Sequence, residues 1–477
     1  MEIDIKSDVE AVMGCELSKI ERVVLDVDTG MVWVATSFQV PQVQLESLER
    51  YSIINNLKLK ASYGVTGNNR LPNSGSRVNQ FDPSVAPGFN YPIDGVRQPG
   101  FTVVGANNRD LVWEEGINQN YGFDLGLWNN KVTFAADYFK NRSDGLIVGE
   151  AQRPPAGIPG DSQSGVVLPK NVGDVEVEGM EFTLGYNDYE GDFKWSFWGN
   201  VSISESNVIT LGSVTQQLRQ ASFNPPFSEQ LSRLAPGEPI FHFYGLEFEG
   251  VYSTEQEIID HLGADNLDPN SDAVFKPRPG DVRYRDVDGD GDIDDKDRLV
   301  IGDPNPDFTF AANIKAEYKN FDLSMLITGV SGVDALNSNI WFLQGQENVT
   351  NHSTDVLRRW QNPGDITDIP RFRFEGNNEN NFISTRYIQD ASYARLRNFT
   401  IGYTFPTDML NNTFKGVLSK ARLYVQGQNL VTLTRYEGLD PEIAPFYGSN
   451  GLLQGTSIDR GEAPRPQTFI LGLQLEF

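Results

Sequence analysis

The chain has 477 residues, 39% of them hydrophobic, with 29 Phe, 17 Tyr, 7 Trp and 45 Gly, and a formal charge of -26. Such an acidic balance excludes nucleic acid as a partner, because a phosphate backbone requires a basic surface. The single cysteine, Cys15, excludes an intramolecular disulfide framework and a cysteine metal cluster, and no run of about 18 apolar residues offers a spanning helix.

Residues 1–52 differ in character from the rest of the chain. Acids are scattered from Glu16 to Asp28, and Val23-Val24-Leu25-Asp26-Val27-Asp28 predicts a short strand of soluble character. The opening Met1-Glu2-Ile3-Asp4-Ile5-Lys6-Ser7-Asp8 lacks the basic-then-apolar pattern of a secretory signal. No function is assigned to this segment.

From Leu57 the pattern has a period of two. Leu57, Leu59, Ala61 and Tyr63 alternate with Lys58, Lys60 and Ser62, so one face of a strand is apolar and the other polar. Gly64 to Asp110 then reads as a long loop rich in Gly, Asn, Pro and Ser. Tyr121–Leu127 and Val132–Tyr138 resume the alternation on either side of Asn129-Asn130, a pair that tolerates the left-handed backbone of a hairpin turn. The design returns at Met180 to Tyr186 and Trp195 to Ile203, around a turn at Asp188 to Asp192. It returns again at Phe308 to Tyr318 and Phe321 to Gly329, around Lys319-Asn320. The chain ends in the same way, with Phe469, Leu471, Leu473, Leu475 and Phe477 on one side of a strand.

The connections are asymmetric. Tight turns alternate with Gly/Pro/Asn/Asp-rich stretches at Gly145 to Asp174, Gly212 to Pro239 and Val330 to Phe382. Compact soluble domains rarely carry several such loops, whereas outer-membrane barrels pair short periplasmic turns with long external loops. The expectation is an all-β, antiparallel transmembrane β-barrel wall over residues 53–477, with roughly ten to twelve strands of about 9–11 residues each. A soluble or surface-attached all-β carbohydrate-binding protein with a structural calcium is the alternative. It would bury Phe134, Leu184, Ile314 and Leu473 that a barrel wall turns to lipid.

One stretch has the pattern of a metal loop. In Asp286-Val287-Asp288-Gly289-Asp290-Gly291-Asp292-Ile293-Asp294-Asp295-Lys296-Asp297, three carboxylates stand at positions one, three and five, with Gly291 for the sharp turn at six. The carbonyl of Asp292 follows, Ile293 points into the domain and Asp294 acts through water. Asp297 holds position twelve, where calmodulin-like loops have a bidentate Glu and dockerin-type loops the shorter Asp. The expected ion is a structural calcium in residues 286–297, with metal residues Asp286, Asp288, Asp290, Asp292 and Asp297, and no helical pattern flanks it.

Catalysis finds little support. His242, His261 and His352 keep no metal-binding spacing, no Gly-x-Ser-x-Gly element occurs, and the abundant carboxylates read as solvated loop acids ahead of a glycosidase pair. The aromatics Phe89, Tyr91, Trp341, Phe342, Phe446 and Tyr447 suit either stacking on a ligand or packing of the loops, and packing is the preferred reading. Arg358, Arg359 and Trp360 read the same way.

Several segments resemble one family in order. Asn56-Leu57-Lys58-Leu59-Lys60-Ala61-Ser62-Tyr63-Gly64, Gly237-Glu238-Pro239-Ile240 with Phe243-Tyr244-Gly245, and Gly280-Asp281-Val282-Arg283-Tyr284-Arg285-Asp286 are similar to SusC/RagA-type TonB-linked outer-membrane receptors. So are Ile301-Gly302-Asp303-Pro304-Asn305-Pro306-Asp307-Phe308, Ser392-Tyr393-Ala394-Arg395-Leu396-Arg397-Asn398 and Gln426-Gly427-Gln428-Asn429-Leu430. The resemblance implies the C-terminal part of a 22-stranded barrel in the outer-membrane lipid bilayer. It also implies a SusD-like surface lipoprotein partner, the TonB complex as energy source, and oligosaccharide or peptide import rather than enzymatic turnover. A TonB box and a plug are not recognised in the sequence, so the expectation is a receptor fragment with an incomplete or open barrel.

Overall fold

A computed structural model describes residues 22–26, 31–35, 53–68, 80–82, 91–93, 96–98, 102–105, 108, 110–152, 166–212, 217–219, 231–344, 351–372, 379–447 and 453–477. The long strands are β1 (Ile54–Asn68), β2 (Glu114–Leu127), β3 (Val132–Gln152), β4 (Val166–Asp188), β5 (Phe193–Leu211), β6 (Phe308–Tyr318), β7 (Phe321–Ser331), β8 (Tyr393–Thr404), β9 (Lys420–Thr434) and β10 (Thr468–Glu476). Of the first 52 residues, the described parts are the two strands of an antiparallel hairpin, Arg22–Asp26 and Met31–Ala35, where the sequence predicts a strand.

The chain divides into two compact units. The first contains β1, β2, nearly all of β3 and residues 166–180 of β4, in the order β4-β3-β2-β1. The second contains residues 181–188 of β4, β5 up to Ser206, and β6 to β10, in the order β10-β9-β8-β7-β6-β5-β4, together with the large loops between them. All pairings with a resolved register among these long strands are antiparallel.

Register turns the alternation of single strands into continuous faces. In the second unit Leu473, Leu423, Tyr403, Phe321, Tyr318 and Phe193 lie side by side across six strands. Leu471, Val425, Ile401, Leu323, Ala316 and Trp195 form the next row, and Phe469, Gly427, Phe399, Met325, Ile314 and Phe197 the third. On the opposite face run Gln426, Thr400, Ser324, Lys315 and Ser196, and beside them Tyr424, Gly402, Asp322, Glu317 and Lys194, with Arg422 and Gln474 one step further along their strands. Gly402 lets charges meet across its strand. Arg422 on β9 grips Asp322 on β7 through Nε at 2.8 Å and Nη2 at 2.5 Å, and a Cβ at Gly402 would run into both.

The apolar rows are not a dry core. Leu473 is 61% exposed and Leu184 45%, while Phe134 and Ile314 are half-buried. A soluble sandwich would sequester these four side chains.

The short turns obey the sequence signals. Trp128, Asn129 and Asn130 are all left-handed, with φ of 49°, 58° and 60°, and the Asn129 N–H donates to the Asn55 side chain. Lys319 is left-handed at φ 54°, and the Asn320 side chain donates to the Thr404 carbonyl at 2.7 Å. The turn between β8 and β9 is longer and holds a helix, Thr407–Phe414.

Two loop expectations need correction. β1 runs on to Asn68, beyond the predicted start of a loop at Gly64, and β3 and β4 run through most of Gly145 to Asp174, leaving only residues 153–165 between them. These strands have 21 and 23 residues, about twice what crosses a barrel wall. Their extensions mix charged residues with unalternated apolar runs, Leu146-Ile147-Val148 and Val166-Val167-Leu168, so period-two alternation gives no signal for them.

The dry core lies in the loops instead. Leu231, Phe243, Ile301, Leu336, Trp341, Ile383, Tyr387 and Ile458 form one buried cluster, and Leu246, Tyr252, Ile258, Leu262, Phe275, Val282, Tyr284 and Ile293 another. Short strands frame them, with Ser232–Leu234, His242–Gly245 and Leu299–Gly302 hydrogen-bonded in series and Phe248–Val251 paired to Val282–Tyr284. Because Phe275 is fully buried, Phe275→Ala is expected to destabilise this body by about 3–5 kcal/mol. In limited proteolysis, new cleavages should fall within 231–302 while the β6–β10 peptides stay protected.

Candidate functional site

The predicted metal loop sits on the second of these cores. Ile293 is buried in it, as the spacing requires, and anchors the loop from below. Gly289 and Gly291 are left-handed at φ 75° and 82°, and a Cβ on Gly291 would stand 2.8 Å from the Leu262 carbonyl oxygen. That carbonyl belongs to a helix, Glu255–Leu262, capped by Thr254, whose side chain accepts from the Glu257 N–H. A helix from elsewhere in the chain therefore packs against the loop, while the elements that flank it in sequence are the short strands Val282–Tyr284 and Leu299–Gly302. The helix's signal is Ser253-Thr254-x-x-Glu257 with Gly263 at the far end, a capping box and a C-cap too far from Asp286 to be associated with it.

Asp286, Asp288 and Asp290 converge, each offering one oxygen within 4.8 Å of the others. Their bonds from the backbone are turn bonds. Asp286 accepts from Gly289 N and Gly291 N at 2.7 and 2.9 Å, Asp288 from Asp290 N, and Asp290 from Asp292 N. Each carboxylate retains lone pairs beyond these bonds.

Asp292 and Asp297 play other parts. The Asp292 carboxylate accepts from Val274 N and Phe275 N at 2.6 and 2.9 Å and stands outside the cluster of Asp286, Asp288 and Asp290, so the side chain is engaged and the atom nominated by the spacing is the carbonyl. Asp297 is buried, and its two oxygens accept from Val287 N at 2.8 Å and Asp294 N at 2.7 Å, closing the loop on itself. The Lys296 ammonium reaches back over the cluster, 2.8 Å from Asp290, 3.3 Å from Asp294 and 3.7 Å from Asp288. Its hydrogen bond, then the Asp292 N–H, hold the Asp290 carboxyl below the usual carboxylate range, and the acids in turn push the lysine up. The donor set is hard oxygen, suited to Ca²⁺. Lys296 supplies the positive charge that such a cation would supply.

The histidines at 242 and 261 are structural. His242 is buried, with Nδ1 2.8 Å from the Pro239 carbonyl and Nε2 2.8 Å from Glu238, which Arg233 also grips. Burial pulls its pKa down, against the carbonyl and carboxylate that favour the charged form. His261 receives the Tyr252 hydroxyl at 2.7 Å, and burial lowers its pKa and raises that of the phenol. Among the described residues, His352 takes no part in the acidic cluster of Asp286, Asp288 and Asp290.

Packing also accounts for several loop aromatics. Trp341 is buried in the first core, and Trp360 lies against Gly280, which is left-handed at φ 90°. Phe342 is exposed, edge-on to Trp341 at 4.9 Å. Arg358 pairs with Asp355 and Asp368, and Arg359 donates to the Val356 carbonyl. Phe89 lies outside the described residues, and only the backbones of Tyr91, Phe446 and Tyr447 are described, in short strands.

Two arginine clamps are not legible in the sequence. Arg371 holds the buried Asp281 through Nε at 2.8 Å and Nη2 at 3.1 Å, pinning 351–372 to the loop body. Arg395, also buried, reaches Thr432 at 2.9 Å, Glu442 at 3.0 Å and Asp440 at 2.5 Å. Burial opposes the ionised Asp440, yet the Arg465 N–H and Arg395 hold its carboxyl below the usual range. A β-bulge between Leu396 and Asn398, opposite left-handed Asn429, puts Arg395 beside Thr328 on the polar face, where Arg397 also donates to Thr328.

A family model described as "TonB dependent receptor-like, beta-barrel" matches residues 35–430. The chain belongs to this family. It is 31% identical over 434 residues to TonB-dependent receptor P3 of Formosa agariphila, covering 90% of this chain and 40% of that protein. To TonB-dependent receptor SusC of Bacteroides thetaiotaomicron it is 25% identical over 441 residues, covering 90% and 38%. Among solved structures, that of the RagAB peptide transporter superposes with a TM-score of 0.68 at 19% identity, over 94% of this chain and 43% of that one. The fold is thus a TonB-dependent receptor barrel wall, and the chain spans about 40% of the length of the curated relatives it matches. TonB-dependent receptors are transporters of the outer membrane, not enzymes.

Removing the Arg371 side chain takes the bidentate guanidinium from the buried Asp281 carboxylate, which keeps bonds from the Arg278 N–H and the Asn380 amide. Arg371→Ala is expected to cost about 1.5–3 kcal/mol, the range for hydrogen bonds to a charged group, and to free 351–372 for proteolysis, whereas Arg358→Ala, at an exposed pair, should change little.

Proposed function

We propose that this TonB-dependent receptor chain forms the C-terminal wall and outer loops of an importer of oligosaccharides or peptides. It works with a SusD-like surface lipoprotein and draws energy from the TonB complex. The observation that carries this reading is the division of labour in the wall and loops. Apolar rows suited to hydrocarbon end at short turns on one side, and on the other side the loops fold into packed bodies that can present a rigid surface to a ligand and a lid. Similarity to SusC, and to a structure described as a peptide transporter, supports both ligand classes and the lipoprotein partner.

In the whole receptor, loop bodies capture the ligand with the lipoprotein and the wall provides a polar-faced passage. The test is disruption of the gene with growth on single oligosaccharides or peptides. Loss of growth on one of these, and co-purification of a lipoprotein with the tagged chain, are expected. Unchanged growth on all of them with no lipoprotein recovered would overturn the reading.

In the same receptor, residues 286–297 hold a structural Ca²⁺ through Asp286, Asp288, Asp290 and the Asp292 carbonyl. Asp297 fixes the loop from beneath, and Lys296 swings aside on binding. The ion would rigidify an external loop and takes no part in chemistry. Terbium luminescence or calorimetry should show one site. Asp286→Asn and Asp290→Asn should each weaken it tenfold or more, and Lys296→Ala should preserve or tighten it. Equal affinity in wild type and both asparagine variants would remove calcium from the account.

A further inference from the structure

The outward apolar rows differ in length from strand to strand, each measured from its own short turn. On β6 the outward row runs from Tyr318 to Phe308, eleven residues. That is about 36 Å of strand and about 25 Å in height at a tilt near 45°, the full band of an outer-membrane barrel. On β3 the row runs only from Val132 to Tyr138, seven residues, about 23 Å along the strand and about 16 Å in height. β4 agrees, with Met180 to Tyr186 apolar before Glu178, while on β2 the uncharged Gln119 interrupts the row between Tyr121 and Ile117.

Directly above these short bands, on the same outward face, stands a ladder of charges. Lys140 bonds Glu176 at 2.7 Å and Glu178 at 3.5 Å, the Tyr138 hydroxyl donates to Glu178 at 2.8 Å, and Arg142 pairs with Asp144 and with Asp174 at 3.2 Å. The face assignment is independent of these contacts. Lys60 pairs with Asp137 and Asp124, which places Asp137 on the polar face of β3 and its neighbours Ala136 and Tyr138 on the outward one. The Phe123–Phe134 contact at 5.8 Å continues the outward face to β2.

Ionised side chains at that depth would stand in hydrocarbon if the bilayer kept its full height here. Local thinning costs little for each ångström, whereas every charge left in hydrocarbon costs heavily. We propose that the β2–β4 sector is a contact surface for lipid headgroups. The outer leaflet dips there, so that polar headgroups and their counter-ions rest against the Lys140, Arg142, Glu176 and Glu178 ladder. This inference rests on the outer-membrane reading of the wall.

The test uses the unmodified full-length chain in lipid nanodiscs, with water-soluble carboxyl and amine labels for Glu176, Glu178 and Lys140 and hydroxyl-radical oxidation for Phe308 and Phe310. Strong labelling of Lys140 and Glu178 with protection of the two phenylalanines is expected. If Lys140 and Glu178 are labelled in detergent but at least tenfold less in nanodiscs, the headgroup surface is wrong and hydrocarbon or a protein neighbour covers the ladder. If Phe308 and Phe310 oxidise as readily in nanodiscs as in detergent, it is the membrane-wall reading itself that fails.

Discussion

Everything in this structure depends on the backbone hydrogen bonding of strands whose two faces want different surroundings. A sheet fixes register at one-residue precision, because a slip of one residue exchanges every side chain between faces. Here the register joins Leu473, Leu423, Tyr403 and Phe321 into an unbroken apolar row and leaves Arg422 and Asp322 to meet on the other side, over the bare Gly402. Hydrocarbon satisfies the first face and water the second. Backbone polar groups between strands are satisfied within the sheet, which lets such a wall stand in lipid.

The loops solve a separate problem. They are too long to remain loose, and they fold as soluble protein does, around buried aromatics and aliphatics, with charges paired at the edges. The Asp281–Arg371 clamp and the Gly280–Trp360 contact tie a distant segment to the body that carries Asp286–Asp297. In this way a loop able to hold a cation acquires a rigid base, with Ile293 in the core and Gly291 against the helix end.

Much of this is legible in the sequence, for physical reasons. Period-two alternation marks a half-wet strand, so the wall strands and their turns at Asn129-Asn130 and Lys319-Asn320 can be read directly. The extensions of β3 and β4, where charges and apolar runs such as Leu146-Ile147-Val148 do not alternate, carry no such contrast and read as loop. The loop cores escape a sequence reading because Phe243, Tyr252, Phe275 and Tyr284 stand among glycines, prolines and acids with no period, and only tertiary contact makes them a core. In the metal loop, spacing locates Asp286, Asp288 and Asp290 together. It cannot show that Lys296 reaches back over them or that the Asp292 carboxylate is engaged by Val274 and Phe275.

The central claim is that the two faces of one sheet meet two solvents, and a lipid-borne photoreactive probe tests it most directly. With the chain in a bilayer containing a diazirine lipid, mass spectrometry should find adducts on Leu471, Leu473, Ile314 and Phe310 and none on Gln426, Lys315 or Ser324. Adducts spread equally over both sets, or absent from the apolar set, would contradict it.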